Sequence, residues 1–372
     1  MIDKQKLKVC LVDNMAPYYR KKIFSLIDSE YDCKCYFGYP YDGIKDLSLD
    51  FFKDAEYTPI ITCIRSPLFW QVGLLKLLTR KDIDVILIGG GIINVSFWFM
   101  LIVHRLFHFG PKIYNWSHGM LRIRRWPRST FEKIFYKMHD GIFVYGDRAI
   151  KIMKSQGIDG KKLFPIHNSL DYDEQIRLRD VFTDIYKRHF ENNYSVLFFV
   201  GRLTPVKKLD MVFKALYLLK EKGCNLNFVL IGDGTQKNNL QVLSKKLGLM
   251  DRVWFYGACY NEEEKSELIT NADLCVSPGN IGLTAIDSLM YGTPVVTMDN
   301  QDMQMPEHEA IKTGITGFFF KENDVQDLAK KIYMWFLNGY DRNLIRQNCY
   351  KEVDDFWNPY YQIKVIKENL KK

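Results

Sequence analysis

The sequence predicts an α/β protein made of two doubly wound domains, each on a parallel sheet. Short β-branched runs alternate with helical stretches from end to end, as parallel sheets covered on both faces require. The runs fall into two series: 8–12, 33–37, 85–88, 112–116 and 141–144, then 196–200, 227–231, 253–255, 274–277 and 294–297. Between the series, 173–193 is strongly polar and holds no strand-like run. A length of 372 residues suits two domains of roughly 100–200 residues each. The expected boundaries are an N-terminal domain over 1–172, a linker over 173–193 and a C-terminal domain over 194–354.

Taken in order, the first run follows MIDKQKL directly, with no apolar h-region and no cleavage site, so no signal peptide is expected. Residues 85–103 carry no charge and resemble a membrane span by hydropathy alone. The order Val-Ile-Leu-Ile, then Gly89-Gly90-Gly91, then an apolar stretch containing His104 and Arg105 reads instead as strand, turn and helix over 85–107. Cysteines stand at 10, 33, 35, 63, 224, 259, 275 and 349, with no C-x-x-C pair and no zinc pattern. They read as reduced thiols of a cytoplasmic enzyme. The chain is 47% hydrophobic and 26% charged, which excludes a disordered or fibrous protein. Its 15% aromatic content suits cores, sugar and nucleotide pockets, or membrane surfaces.

The charge is uneven. Residues 101–150 hold 9 Lys and Arg against 3 Asp and Glu, which points to an anionic partner. Arg122, Arg124, Arg125 and Arg128 alternate with Leu121, Ile123 and Trp126, then lead into a helix carrying Phe131, Ile134 and Phe135. Basic and aromatic residues mixed in this way suit an anionic membrane face, and peripheral attachment to its inner side is expected. No nucleic-acid-binding module surrounds the run, so no nucleic acid is expected as partner.

Two segments carry the chemistry. In Val200-Gly201-Arg202-Leu203-Thr204-Pro205-Val206-Lys207 a strand ends in a turn bearing two cations that can reach one anion. Lys208 is expected to face solvent. In 276–296 a strand ends at Pro278-Gly279, and a helix is expected to start near Gly282 and stop at Gly292. Free amides at such a helix start favour phosphate, and Asp287 in its first turns suits ribose hydroxyls or the helix dipole.

These segments, with Phe228–Gly234, 253–257, 271–274, Pro306-Glu307 and Gly314-x-x-Gly317 in this order, resemble the retaining glycosyltransferases of family four. Trp116-Ser117-His118-Gly119 and 167–171 add to the likeness less specifically. The resemblance implies the GT-B fold, two Rossmann-like doubly wound domains facing across a cleft, with 355–372 packing back on the first domain. It implies Arg202 and Lys207 on the donor diphosphate, with Gly201, and Gly282, Leu283 and Thr284 on the distal phosphate. Asp287 matches the second Glu of the family's E-x7-E motif, on the ribose, and Gly257 and Ala258 lie in the loop that meets the base. His118 matches a histidine near the donor sugar. The implied co-substrate is a nucleoside-diphosphate sugar, with no other cofactor and no metal.

One departure is marked: Gly279 stands where the first Glu of the motif is expected, so either the donor has a different hydroxyl pattern, such as a deoxy or N-acetylated sugar, or Asn280 or Glu307 supplies the missing sugar contact. The loop holding Pro17, Tyr18 and Arg20 is expected on the acceptor side. The expected activity is retaining transfer of a sugar to a glycan or lipid-linked glycan in envelope polysaccharide synthesis. A nucleotide-sugar epimerase of the same fold, or a non-catalytic binding subunit, is the alternative.

Overall fold

In a computed structural model the structure describes residues 6–38, 45–62 and 65–372, so Cys63 lies outside the described residues. The chain forms two compact units: Met1–Asp171 with Asn358–Lys372, and Tyr172–Trp357.

The first unit is built in order from β1 (Lys8–Asp13), α1 (Lys21–Glu30), β2 (Asp32–Phe37), β3 (Ala55–Tyr57), β4 (Ile60–Thr62), β5 (Phe69–Gln71), β6 (Val85–Gly89), α2 (Val95–Phe107), β7 (Lys112–Ser117), α3 (Arg128–Lys137), β8 (Gly141–Val144), α4 (Asp147–Ser155) and β9 (Leu163–Pro165). Seven strands form a parallel sheet in the order β3-β2-β1-β6-β7-β8-β9, while β4 and β5 make a separate antiparallel pair. Side chains alternate across a strand, so each strand feeds two cores. Val9, Leu11, Val85 and Leu87 join one apolar cluster with Phe24, Phe37 and Trp116. Cys10, Val12, Ile86 and Ile88 join the other with Phe97, Met100 and Phe135. Residues 85–107 thus form strand, turn and helix, with Asn94 capping α2 by accepting from the Ser96 amide at 3.1 Å.

The second unit holds α5 (Tyr172–Ile176), α6 (Ile185–Phe190), β10 (Val196–Val200), α7 (Asp210–Glu221), β11 (Asn227–Ile231), α8 (Lys237–Lys246), β12 (Val253–Gly257), α9 (Glu262–Thr270), β13 (Leu274–Ser277), α10 (Thr284–Met290), β14 (Val295–Met298), β15 (Gly317–Phe320), α11 (Val325–Leu337) and α12 (Arg342–Phe356). Its six-stranded parallel sheet runs β12-β11-β10-β13-β14-β15. Both sheets place β1 or β10 centrally and change direction beside it, the switch point where ligands bind in doubly wound folds.

Residues 173–193, expected as a linker, lie inside the second unit. Their polarity is spent on that unit: the Thr183 amide donates to Asn271 Oδ1 at 2.9 Å, and the buried Tyr186 hydroxyl donates to the Leu268 carbonyl at 2.5 Å. The second unit therefore starts at Tyr172 rather than 194, and ends at Trp357 rather than 354. Strands β3, β4, β5, β9 and β15 escape the sequence reading. The first four span three residues each, too few to show a period, and Gly-Phe-Phe-Phe in β15 lacks a β-branched residue.

The chain returns to the first unit at Asn358, which caps α13 (Pro359–Asn369) by accepting from the Tyr360 and Tyr361 amides. Ile366 is fully buried and packs in the same cluster as Ile23 and Ile27. Lys367 makes only a surface pair with Glu30 at 2.9 Å. Burial should outweigh this charge pair. Ile366→Ala is expected to cost about 2–5 kcal/mol in urea unfolding, and Lys367→Ala at most about 1 kcal/mol. Equal costs would show that α13 is held by its surface charges.

Candidate functional site

The end of β10 is fixed by backbone packing. A Cβ on Gly232 would lie 1.9 Å from the Gly201 carbonyl oxygen, so the loops after β10 and β11 meet main chain to main chain. Gly201 donates to the Ile231 carbonyl at 2.9 Å, and Leu203 to the Asp233 carbonyl at 2.8 Å. The Gly-Asp-Gly after β11 is therefore the support of the cationic turn. Gly232 also donates to the Gly257 carbonyl at 2.7 Å, which joins the loop of Gly257 and the exposed Ala258 to the same sheet end.

The turn Pro205–Lys207 is a single 3-10 turn started by Pro205. Its two lysines part. Lys208 Nζ donates to Glu322 Oε1 at 3.2 Å and Asn323 Oδ1 at 2.8 Å. Lys207 Nζ donates to the Asn280 carbonyl at 2.6 Å. Burial, and then the Arg202 charge, hold the Lys207 ammonium below the ordinary lysine range, while Glu307 works the other way. Arg202 is exposed and its guanidinium bonds to no group among the described residues.

Gly279 explains the departure noted in the sequence. A Cβ there would stand 2.1 Å from the Val206 carbonyl oxygen and 2.8 Å from Lys207 Cα. No side chain fits, because the main chain of the cationic turn occupies the place. The Asn280 amide donates to the Val206 carbonyl at 3.2 Å, and Asn280 Nδ2 to the Met303 carbonyl at 2.6 Å. Gln304, buried, accepts from the Ile281 amide at 2.7 Å and fixes the loop from beneath.

The helix after this loop starts at Thr284, not Gly282, and has seven residues. The amides of Gly282, Leu283 and Thr284 meet no acceptor among the described residues. Thr284 Oγ1 donates to the Val200 carbonyl at 2.9 Å and ties α10 to the end of β10. Buried Glu307 places Oε2 4.0 Å from where a Cβ of Gly282 would stand. Gly201, Arg202, Lys207, Asn280, Gly282, Leu283, Thr284 and Glu307 thus meet at one sheet end.

Asp287 belongs to a network the sequence does not announce. Its Oδ1 accepts from Lys265 Nζ at 3.0 Å and Gln175 Nε2 at 2.9 Å. Lys265 also pairs with Glu262 Oε2 at 2.9 Å, and the Tyr291 hydroxyl donates to Glu262 Oε1. Burial pushes the Asp287 carboxyl up, and Lys265 pulls against it. Burial also opposes the Lys265 charge, but the Asp287 and Glu262 carboxylates outweigh it and raise its pKa. Only the Glu262–Lys265 spacing on a helix face was readable beforehand.

The remaining expected residues lie in the first unit. Arg20 donates to Asp13 Oδ2 at 3.0 Å and to the Tyr145 hydroxyl, and stacks 5.1 Å from the Trp116 ring. Pro17 is buried and bridges to Asp46, and Tyr18 carries Lys45 Nζ 4.0 Å above its ring. His118 meets the Tyr145 ring edge-on at 5.0 Å. Burial, then the Arg20 charge, lower its pKa to about 4. Among the described residues no group of three or more His, Cys, Asp or Glu side chains is arranged to hold a metal ion.

Comparison with known proteins bears on this arrangement. Residues 181–352 match the family of glycosyl transferases group 1. That stretch contains the cationic turn, the Gly279 loop and Asp287. EpsD of Bacillus subtilis (strain 168), named as a glycosyltransferase, is 30% identical over 242 residues, 60% of this chain and 60% of that protein. The chain therefore spans about three-fifths of that relative. The amylovoran biosynthesis glycosyltransferase AmsK of Erwinia amylovora is 33% identical over 138 residues, 35% of this chain and 33% of that protein. The fold is that of GT-B glycosyltransferase structures. The lipopolysaccharide outer core galactosyltransferase WaaB superposes with a TM-score of 0.73 at 15% identity, over 98% of this chain and 99% of that one. Anabaena HepE in complex with UDP gives 0.71 at 15% identity, over 98% and 99%.

Two measurements check this geometry. Gly279→Ala forces the 205–207 turn to move, so it is expected to lower the melting temperature by several degrees and weaken nucleoside-diphosphate binding in the same thermal-shift assay. An unchanged melting temperature would mean that the turn is not seated on Gly279. An NMR titration should find the His118 ring neutral at pH 7 with a midpoint near pH 4. The native state resists this proton while the unfolded chain accepts it, so His118 should cost stability as pH falls from about 6.5.

Proposed function

We propose that the protein is a glycosyltransferase that moves a sugar from a nucleoside-diphosphate donor to a glycan or lipid-linked glycan in envelope polysaccharide synthesis. The observation that carries this reading is the meeting of Arg202, Lys207 and the amides of Gly282, Leu283 and Thr284 at one sheet end. The group 1 match over the same residues supports it, as do relatives named for amylovoran and lipopolysaccharide synthesis. HepE was solved with UDP and with UDP-glucose, so uridine-linked sugars are the first donors to try.

The roles follow from charge. Breaking the bond between the anomeric carbon and the diphosphate oxygen leaves negative charge on that oxygen. Lys207 and Arg202 stand ready to balance it, and preorganised charge of this kind lowers the barrier more than charge that must first be oriented. Lys207 is already tethered and partly desolvated, so an arriving diphosphate restores what burial takes from it. The acceptor oxygen bonds to the same face of the anomeric carbon as the leaving diphosphate departs, and the diphosphate takes the acceptor proton. Configuration is thereby retained without a carboxylate nucleophile, in keeping with the glycine at 279. Neutral His118 serves as a hydrogen-bond partner for a sugar hydroxyl rather than as a cation.

Glu307 is the better substitute for the missing motif Glu. Asn280 spends its side-chain amide on Met303, whereas the Glu307 charge acts on Lys207 and its carboxylate lies 4.0 Å from where a Cβ of Gly282 would stand. It takes the sugar hydroxyls. An acceptor at an anionic membrane surface fits the basic run of arginines at 122–128.

Lys207→Ala is expected to lower kcat/KM at least tenfold, about 1.4 kcal/mol of barrier. Glu307→Gln should lower it for the sugar donor while leaving binding of the bare nucleoside diphosphate unchanged. Free nucleoside diphosphate should accumulate only when a glycan acceptor is present. Release without acceptor, or epimerised donor in its place, would replace this reading with a hydrolase or an epimerase.

A further inference from the structure

Helix α2 contradicts its own position. Its inner side is buried, through Phe97, Met100, Leu101 and His104. Its outer side should be polar, yet it presents Phe99, Ile102 and Leu106 to solvent, Leu106 at 69% exposure, followed by exposed Phe107 and Phe109. Beside it runs a groove of about 410 Å³ lined by Leu68, Ile92, Val95, Trp98, Pro127 and Phe131, with Arg128 as its charged lining residue. Trp126, 81% exposed, stands next to the groove's Pro127. Exposed apolar patches of this extent mark a partner.

The charge around the groove selects that partner. Between 121 and 137 there are six cations, Arg122, Arg124, Arg125, Arg128, Lys133 and Lys137, and one acid, Glu132. Glu132 is shared by Arg124 at 3.1 Å and Arg128 at 3.3 Å, which leaves the run strongly positive. A second copy of the chain would set the same cations against themselves. A bilayer containing anionic lipid offers what both features lack: phosphates for the arginines and hydrocarbon for the apolar stripe. With 13 residues, α2 is too short to span it and can only lie along it.

We propose that this face of the first unit is a membrane-seating surface. The outer side of α2, the groove and Trp126 enter the headgroup boundary of an anionic bilayer, and the arginines at 122–128 pair with lipid phosphates. The proposal deepens the reading of a lipid-linked acceptor and rests on it for its purpose, but not for its evidence.

The test is co-sedimentation of the full chain with vesicles of phosphatidylcholine, with and without phosphatidylglycerol. Binding should be about tenfold stronger with phosphatidylglycerol and weaken at high salt. Phe99→Ser with Ile102→Ser and Leu106→Ser should lower it about tenfold, with melting temperature and nucleoside-diphosphate binding unchanged. Should that triple variant unfold, Trp126→Ser and Arg125→Ser, both at exposed positions, carry the same expectation. Equal binding to both vesicles, or undiminished binding by these variants, would overturn the proposal. So would a dimer in light scattering that the triple variant disperses while vesicles bind nothing. Vesicle binding by a chain that transfers no sugar would leave this surface standing and sink the transferase reading instead.

Discussion

The candidate site depends on one main-chain contact, the seating of Gly279 and Asn280 against Val206 and Lys207. Four features act together there. Gly279 has no Cβ, the Asn280 amide reaches the Val206 carbonyl, the Lys207 ammonium reaches the Asn280 carbonyl, and Thr284 bonds back to the end of β10. Without this contact, Lys207 would be a mobile surface cation that must be ordered when an anion binds. A lysine side chain carries up to about 2 kcal/mol of rotamer entropy, of the same order as a charge-assisted hydrogen bond, about 1.5–3 kcal/mol. Holding Lys207 in place beforehand decides whether that bond yields net affinity. The absence of a side chain at 279 is then the condition for the close approach of turn and loop.

The same trade governs the two cations. Lys207 is partly desolvated and held, and its charge is disfavoured by burial and by Arg202. Arg202 is exposed and bonds to no group among the described residues. A buried ammonium gains most from a dianion because little water screens the pair, while an exposed guanidinium gains less per contact but can follow the charge as it moves. Ground-state holding by Lys207 and adjustment by Arg202 is the division of labour that the proposed diphosphate departure would call for.

Much of this was legible in the sequence, for identifiable reasons. Parallel strands buried on both faces leave continuous apolar runs, so ten of the eleven described strands of four or more residues announced themselves. The cationic turn and the Gly279 loop were visible because glycine and proline fix local backbone. The three-residue strands, β15 and the role of 173–193 were not, because nothing local in a polar stretch tells whether its hydrogen bonds go to water or to protein. Helix α2 was read as an apolar helix, but which of its apolar residues face outward depends on the sheet beneath it. The start of α10 moved from Gly282 to Thr284, which takes weight from a helix dipole and gives it to three amides that meet no acceptor among the described residues.

Asp287 shows what long-range packing adds to a motif position. The short aspartate side chain keeps its carboxylate near the helix, where it is reached by Lys265 and Gln175, both on Oδ1. Oδ2 takes no part in these bonds. A buried carboxylate with one oxygen fixed by a cation and an amide points its other oxygen in a set direction, which would suit a ribose hydroxyl better than a freely rotating group. Gln175 comes from α5, in the stretch that polarity alone suggested was a tether. Its amide also holds Glu262 at 2.9 Å, so α5, α9 and α10 are joined at one side chain. The orientation of the Asp287 carboxylate is thus set by a residue outside every motif, placed there by the segment that opens the second unit.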